Sequence, residues 1–130
     1  MSVITCVSVT GCHAGLALLE RLAFGRDDLP TTLPRLSEHV GGAQLAVLST
    51  CQRVELYAVS QRPQDARPLV EALAADRDVP RELVDAAAAV RTGPEAVLHL
   101  LRVAAGLTSF VLGEREIVGQ ALVDLVRPLG

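Results

Sequence analysis

Tryptophan is absent from the 130 residues, and two phenylalanines and one tyrosine are the whole aromatic complement. Stacked rings therefore cannot build the core. Half of the residues are apolar, so Leu, Val and Ala must do the packing. Positive charge is also short: a net charge of −3 excludes the broad basic footprint of an extended nucleic-acid binder and leaves only local clusters such as Arg21 with Arg26. The three cysteines are unevenly spaced and include no CxxC pair, which fits neither a disulfide framework nor a zinc site and points to a reducing cytoplasm. No run approaches the roughly 18 apolar residues of a membrane span, and "MSVITCVSVT" lacks the basic start of a secretory signal. The expectation is one soluble cytoplasmic domain with no membrane or DNA partner.

What is present alternates between strand and helix signals. "SVITCVSVT" is short and β-branched, "GCHAG" breaks it, and "LALLERLAF" takes up helical spacing. A turn at "GRDDLP" leads to a second helical piece, "TTLPRLSEHV", with Pro34 in its first turns and a Gly-Gly stop. "AQLAVLS" is a nearly continuous apolar run, the pattern of a strand covered on both faces. "RVELYAVS" alternates, with Val54, Leu56 and Ala58 on one side and Arg53, Glu55 and Tyr57 on the other, which predicts a strand with one wet face. "PQDARPLVEALAADRDV" reads as helix, and "VDAAAAVRTG" as a strand at its end. The order β, α, β, β, α, β predicts an α+β fold, a ferredoxin-like split βαβ sheet with helices on one face. Two additional C-terminal helices follow, "PEAVLHLLRVAAGLTS" and "EREIVGQALVDLVRPL".

Two places offer chemistry. At about 100° per residue, the first of those helices gathers Val97, Leu100, Leu101, Val103, Ala104 and Leu107 into an apolar sector facing the sheet. The rest of the wheel holds His99, Arg102, Gly106 and Ser109, either an ordinary solvated face or one wall of a pocket. The other place is Cys51, at the junction of two strands among Ser49, Thr50, Gln52 and Arg53. A free cysteine is commonly buried filler, but a neighbouring cation can favour the thiolate, so both readings stand on composition and position alone. Cys6 lies inside a strand and reads as core. Cys12 and His13 share a glycine-flanked loop without a partner pair at ligand spacing, so no metal site is proposed.

"VLSTCQRVELYA" and "HLLRVAAGLTSFVLGEREIVGQ" together resemble the two signature regions of the N-terminal catalytic domain of glutamyl-tRNA reductase, and "ALLERLAF" is similar to that family's first helix. The resemblance implies an enzyme of tetrapyrrole biosynthesis whose cysteine attacks the ester carbonyl of glutamyl-tRNA, releases the tRNA and holds glutamate as a thioester. NADPH then delivers hydride to give glutamate-1-semialdehyde. Cys51 matches the nucleophile and His99 the pocket histidine able to handle a proton. Arg53 matches a residue suited to gripping the side-chain carboxylate, while Thr50 and Ser109 are placed to hydrogen-bond the α-amino or carbonyl groups. Glu114 and Gln120 fall in the family's "GE" and "GQ" positions and complete the pocket wall.

The chain departs from the pattern at Gln52, where asparagine is usual, at Thr108, where aspartate is usual, and in the first loop, "TGCHAG". The family continues into an NADPH-binding Rossmann domain and a helix ending in a dimerisation domain, and these 130 residues carry no glycine-rich fingerprint after a strand. The expectation is one catalytic domain over residues 1–130 that deacylates but does not reduce. NADPH would be bound only in the full-length enzyme. A homodimer is expected only with the missing C-terminal domain, and a downstream aminomutase is a further partner that the resemblance suggests. The alternatives are a stand-alone module that binds tRNA or protein without catalysis, and a cysteine-dependent aminoacyl-tRNA deacylase.

Overall fold

The computed structural model describes residues 3–25, 27–41, 43–60 and 66–107. Strand β1 (Val3–Thr10) runs through the middle of a four-stranded antiparallel sheet. It pairs on one side with β3 (Arg53–Ser60) and on the other with β4 (Ala89–Thr92). β2 (Gln44–Ser49) lies outside β3, giving the order β2-β3-β1-β4. That is the split βαβ arrangement expected from the element order, so the fold class is α+β as read.

The connection from β1 to β2 contains α1 (Gly11–Ala14), α2 (Leu16–Leu22) and α3 (Leu29–His39). α3 begins earlier than the sequence suggested: Pro30, not Pro34, stands in the first turn, where a missing N–H costs nothing. α4 (Arg67–Arg77) and α5 (Arg81–Ala87) form the second crossover. Asp78, in the left-handed region at φ 53, ends α4, and Pro80 caps the start of α5. Gly93, at φ +60, turns the chain out of β4 into α6 (Pro94–Leu107), and its N–H donates to the Ile4 carbonyl at 2.7 Å.

Alternation along the strands divides the sheet into two faces. Val7, Val9, Val47, Val54 and Leu56 point to one face, where Leu19, Leu22, Leu36, Leu69 and Leu73 from the crossover helices bury them. The other face carries Cys6, Ala46, Tyr57 and Val59 and is closed by Ala96 and Leu100 of α6. This corrects one expectation. The Arg53, Glu55 and Tyr57 side of β3 is not wet, since Glu55 and Tyr57 are both at 0% exposure beneath α6. The apolar sector of α6 is also turned from its expected position. Ala96, Leu100, Val103 and Ala104 are buried, whereas Val97 and Leu101 are exposed, at 40% and 54%. The reason is that the sheet beneath offers polar partners, so His99 rolls inward and the helix shows Leu101 to solvent.

The second C-terminal helix read from the sequence, residues 114–129, lies outside the described residues, as do Thr108, Ser109, Glu114 and Gln120.

Candidate active site

β2 and β3 are joined through Thr50, Cys51 and Gln52; Thr50 bonds back to Arg53, so Cys51 and Gln52 form a two-residue tip. The Thr50 N–H donates to the Arg53 carbonyl at 2.8 Å, and the Thr50 hydroxyl oxygen accepts from the backbone N–H of Gln52 and of Arg53, each at 3.2 Å. Two-residue hairpins usually close with a positive φ. Among the described residues, Asp78 is the one non-glycine residue with positive φ, so here the threonine hydroxyl does the closing instead. Cys51 and Gln52 are thereby held out at the tip, and both are exposed. The Gln52 carbonyl accepts from Gly11 N–H at 3.0 Å, which brings the start of α1 against the same tip.

Two residues past the thiol, Arg53 leans over the sheet face that α6 covers. Its Nη1 donates to Glu55 Oε2 at 3.2 Å, with the arginine side chain 26% exposed and the carboxylate fully buried. Three more donors converge on that carboxylate. Ser8 Oγ donates to Oε2 at 2.6 Å, Tyr57 Oη donates to Oε1 at 2.6 Å, and His99 Nε2 lies 2.5 Å from Oε2. Burial by itself raises the pKa of Glu55, but the hydrogen bonds from Ser8, Tyr57 and His99 and the imidazole charge outweigh it, and the net shift is downward. The carboxylate is therefore ionised at neutral pH and has no proton to give. His99 Nε2 must carry the hydrogen in that contact. The same surroundings push the Tyr57 hydroxyl well above its ordinary range, chiefly through burial, so it stays a donor.

The cluster thus links three elements. β1 supplies Ser8, β3 supplies Arg53, Glu55 and Tyr57, and α6 supplies His99. The antiparallel register places Ser8 opposite Glu55 and Thr10 opposite Arg53, so the row runs straight toward the tip that carries Cys51.

A profile of the N-terminal domain of glutamyl-tRNAGlu reductase matches residues 7–123. The chain belongs to that family. Glutamyl-tRNA reductase 2 of Nocardioides sp. is 46% identical to it over 133 residues, covering 100% of this chain and 30% of the relative. The reductase of Sorangium cellulosum is 42% identical over 126 residues, covering 82% of this chain and 24% of the relative. The solved structure of the reductase from Methanopyrus kandleri superposes with a TM-score of 0.60 at 33% identity, over 95% of this chain and 28% of that one. The chain therefore spans under a third of the length of these relatives.

Glu55, the residue that organises the cluster, was missed in the sequence. The signal was available: an apolar helix after β4 needed a sheet face to cover, and the face carrying Cys6 and Tyr57 had no other cover. Of the residues that sequence singled out, the structure brings Arg53 and His99 onto one carboxylate and holds Thr50 and Cys51 in the adjoining turn. Arg102 is exposed on α6, and Arg21 donates to the Asp78 carbonyl at 3.1 Å on the opposite side of the sheet. Cys6, read as core, is at 0% exposure. Its sulfur, a Glu55 oxygen and a His99 nitrogen lie within 4.8 Å of one another, a set of donor types that suits a soft divalent ion. Burial and the Glu55 charge push the Cys6 thiol up to about 12, which opposes the thiolate such an ion would need. No helix among the described residues is long and apolar enough to cross a membrane.

Proposed function

We propose that this domain carries out the acyl-transfer half of glutamyl-tRNA reduction, with Cys51 as nucleophile. The thiolate of Cys51 attacks the ester carbonyl of glutamate on its tRNA, the sulfur–carbon bond forms, and the tRNA ribose oxygen leaves with a proton. The product is a glutamyl thioester, a better hydride acceptor than the oxygen ester. The observation that carries this reading is the placement of an exposed thiol on a hydrogen-bonded turn, two positions from a guanidinium anchored to a buried carboxylate.

Anchoring divides the labour of Arg53. One nitrogen is fixed on Glu55, which sets the plane of the guanidinium, and the partly exposed remainder is suited to the free side-chain carboxylate of the substrate. Thr50 has its oxygen committed to two backbone donors but keeps its own O–H to offer. His99 has its Nε2 hydrogen fixed on Glu55, so Nδ1 is the ring nitrogen assigned to give or take back a proton during expulsion of the tRNA. Ser109, Glu114 and Gln120 keep the substrate-binding roles that their motif positions suggest.

The residues present do not fit NADPH. Among the described residues the sheet is antiparallel throughout, without the parallel crevice where a dinucleotide lies, and the G-x-G-x-x-G spacing is absent from the 130 residues. In this domain alone the thioester passes to water, yielding glutamate and regenerating the thiol. Reduction to glutamate-1-semialdehyde belongs to the longer enzyme. A second reading is a cysteine-dependent aminoacyl-tRNA deacylase, for which the exposed Cys51 suffices and hydrolysis is the finished reaction.

The test is release of glutamate from labelled glutamyl-tRNA. Cys51→Ala is expected to bring release to the uncatalysed rate, and Arg53→Lys to lower the efficiency by at least roughly tenfold, about 1.4 kcal/mol. Supplying a nicotinamide-binding partner domain separates the two readings: semialdehyde production supports the reductase, and glutamate alone supports the deacylase. Intact charged tRNA bound to the protein would overturn both in favour of a binding module.

A further inference from the structure

Cys12 has no part in the chemistry above, yet it follows directly on Gly11, whose backbone bonds the turn that carries Cys51. The antiparallel register of β1 and β3 pairs Thr10 with Arg53, and one step further the Gly11 N–H still donates to the Gln52 carbonyl at 3.0 Å. One more step along both chains reaches Cys12 and Cys51. Both thiols are exposed. A disulfide requires Cα atoms roughly 4.4–6.8 Å apart, so closing one between these thiols needs the first turn of α1 to draw up to the tip. α1 leads Cys12 away from the ladder; its Ala14 packs on the core, while Cys12 itself is exposed. The helix is four residues long, buries none of them, and is bracketed by Gly11 and by Gly15 at φ +84.

We propose that Cys12 and Cys51 form a dithiol site at the sheet tip, which a peroxide closes into a disulfide that reversibly withdraws the nucleophile. The consequence for activity rests on Cys51 being the nucleophile; formation of the bond does not. The Cys51 thiolate attacks one peroxide oxygen, the O–O bond breaks, and the departing hydroxide takes up a proton to give water and a sulfenic acid. Cys12 sulfur then attacks Cys51 sulfur, the S–S bond forms, and the S–O bond breaks to release a second water. The two thiols lose two electrons in all, and the peroxide gains them. An external dithiol reverses the bond by exchange. Without Cys12, further peroxide carries Cys51 on to the sulfinic acid, which dithiols do not reduce.

The experiment treats the reduced full 130-residue chain with hydrogen peroxide, blocks remaining thiols with iodoacetamide, and maps non-reduced peptides by mass spectrometry. The expected result is a Cys12–Cys51 linkage within one chain, with loss of thioester formation from glutamyl-tRNA and its full return after dithiothreitol. Cys12→Ser is expected to form the thioester like the parent when reduced, but to lose it to peroxide irreversibly. Cys51 oxidised without linkage to Cys12, or a linkage only between two copies, would overturn the proposal. A reduced chain that forms no thioester but still yields the linked peptide would sink the nucleophile and leave the dithiol site standing. Thioester formation without any linked peptide would do the reverse.

Discussion

A carboxylate at 0% exposure under a helix survives only if its oxygens are supplied with donors, and Glu55 receives Ser8, Tyr57, Arg53 and His99. Removing its charge strands those donors. Glu55→Gln is expected to destabilise the domain by about 3–5 kcal/mol in urea unfolding at neutral pH, and Ser8→Ala by about 1–3 kcal/mol. Glu55→Gln should also slow acyl transfer, since Arg53 and His99 lose the charge that orients them. The cysteines give a second check at this scale. Titration of the native chain with a thiol reagent should find Cys12 and Cys51 at once and Cys6 only after denaturation, because Cys6 is fully buried and its thiol is held neutral.

Elements divide into those whose pattern survives folding and those reassigned by contact. β1 and β2 were legible because β-branched and apolar runs leave little else to form, whereas "VDAAAAVRTG" suited helix or strand and divides between α5 and β4. β3 was legible as a strand but its Arg53, Glu55 and Tyr57 face was misread, since alternation shows which residues share a side and not whether a later helix covers it. α6 was misjudged for the complementary reason. A wheel assigns Leu101 to the core by hydrophobicity, whereas the buried polar row on the sheet draws His99 inward and leaves Leu101 at 54% exposure. Alanine substitutions measure that rotation. Leu100→Ala, at 4% exposure, should cost about 2–5 kcal/mol, and Leu101→Ala should stay within about 0.5 kcal/mol in the same denaturant series. The motif singled out Cys51, and the structure leaves it exposed at the tip through the Thr50 hydroxyl, a turn device that spacing does not reveal.

For the whole molecule, the two kinds of buried group bound the stable pH range from opposite sides. Glu55 is held below its ordinary value of 4.5, so its contribution is complete above that value and is lost as pH falls through the lower native one. Acid unfolding should therefore steepen below about pH 4, and Glu55→Gln should flatten that limb. Cys6 titrates near 9 when unfolded and near 12 when folded, so stability is full below 9 and declines as pH rises from there toward 12. Tyr57, displaced upward by burial, acts in the same direction. Cys6→Ala should remove part of the alkaline decline in thermal melts between those values. Neither limb touches neutral pH, where the tip can work on a fully formed scaffold.

The proposed chemistry reduces to one bond between glutamate and Cys51, and intact mass spectrometry with peptide mapping reads it directly. After brief incubation with glutamyl-tRNA and an acid quench, a glutamyl adduct is expected on the peptide containing Cys51, absent from Cys51→Ala and released by hydroxylamine. An adduct that persists in Cys51→Ala, or none on Cys51 while the charged tRNA is consumed, would contradict the assignment of that thiol as the nucleophile.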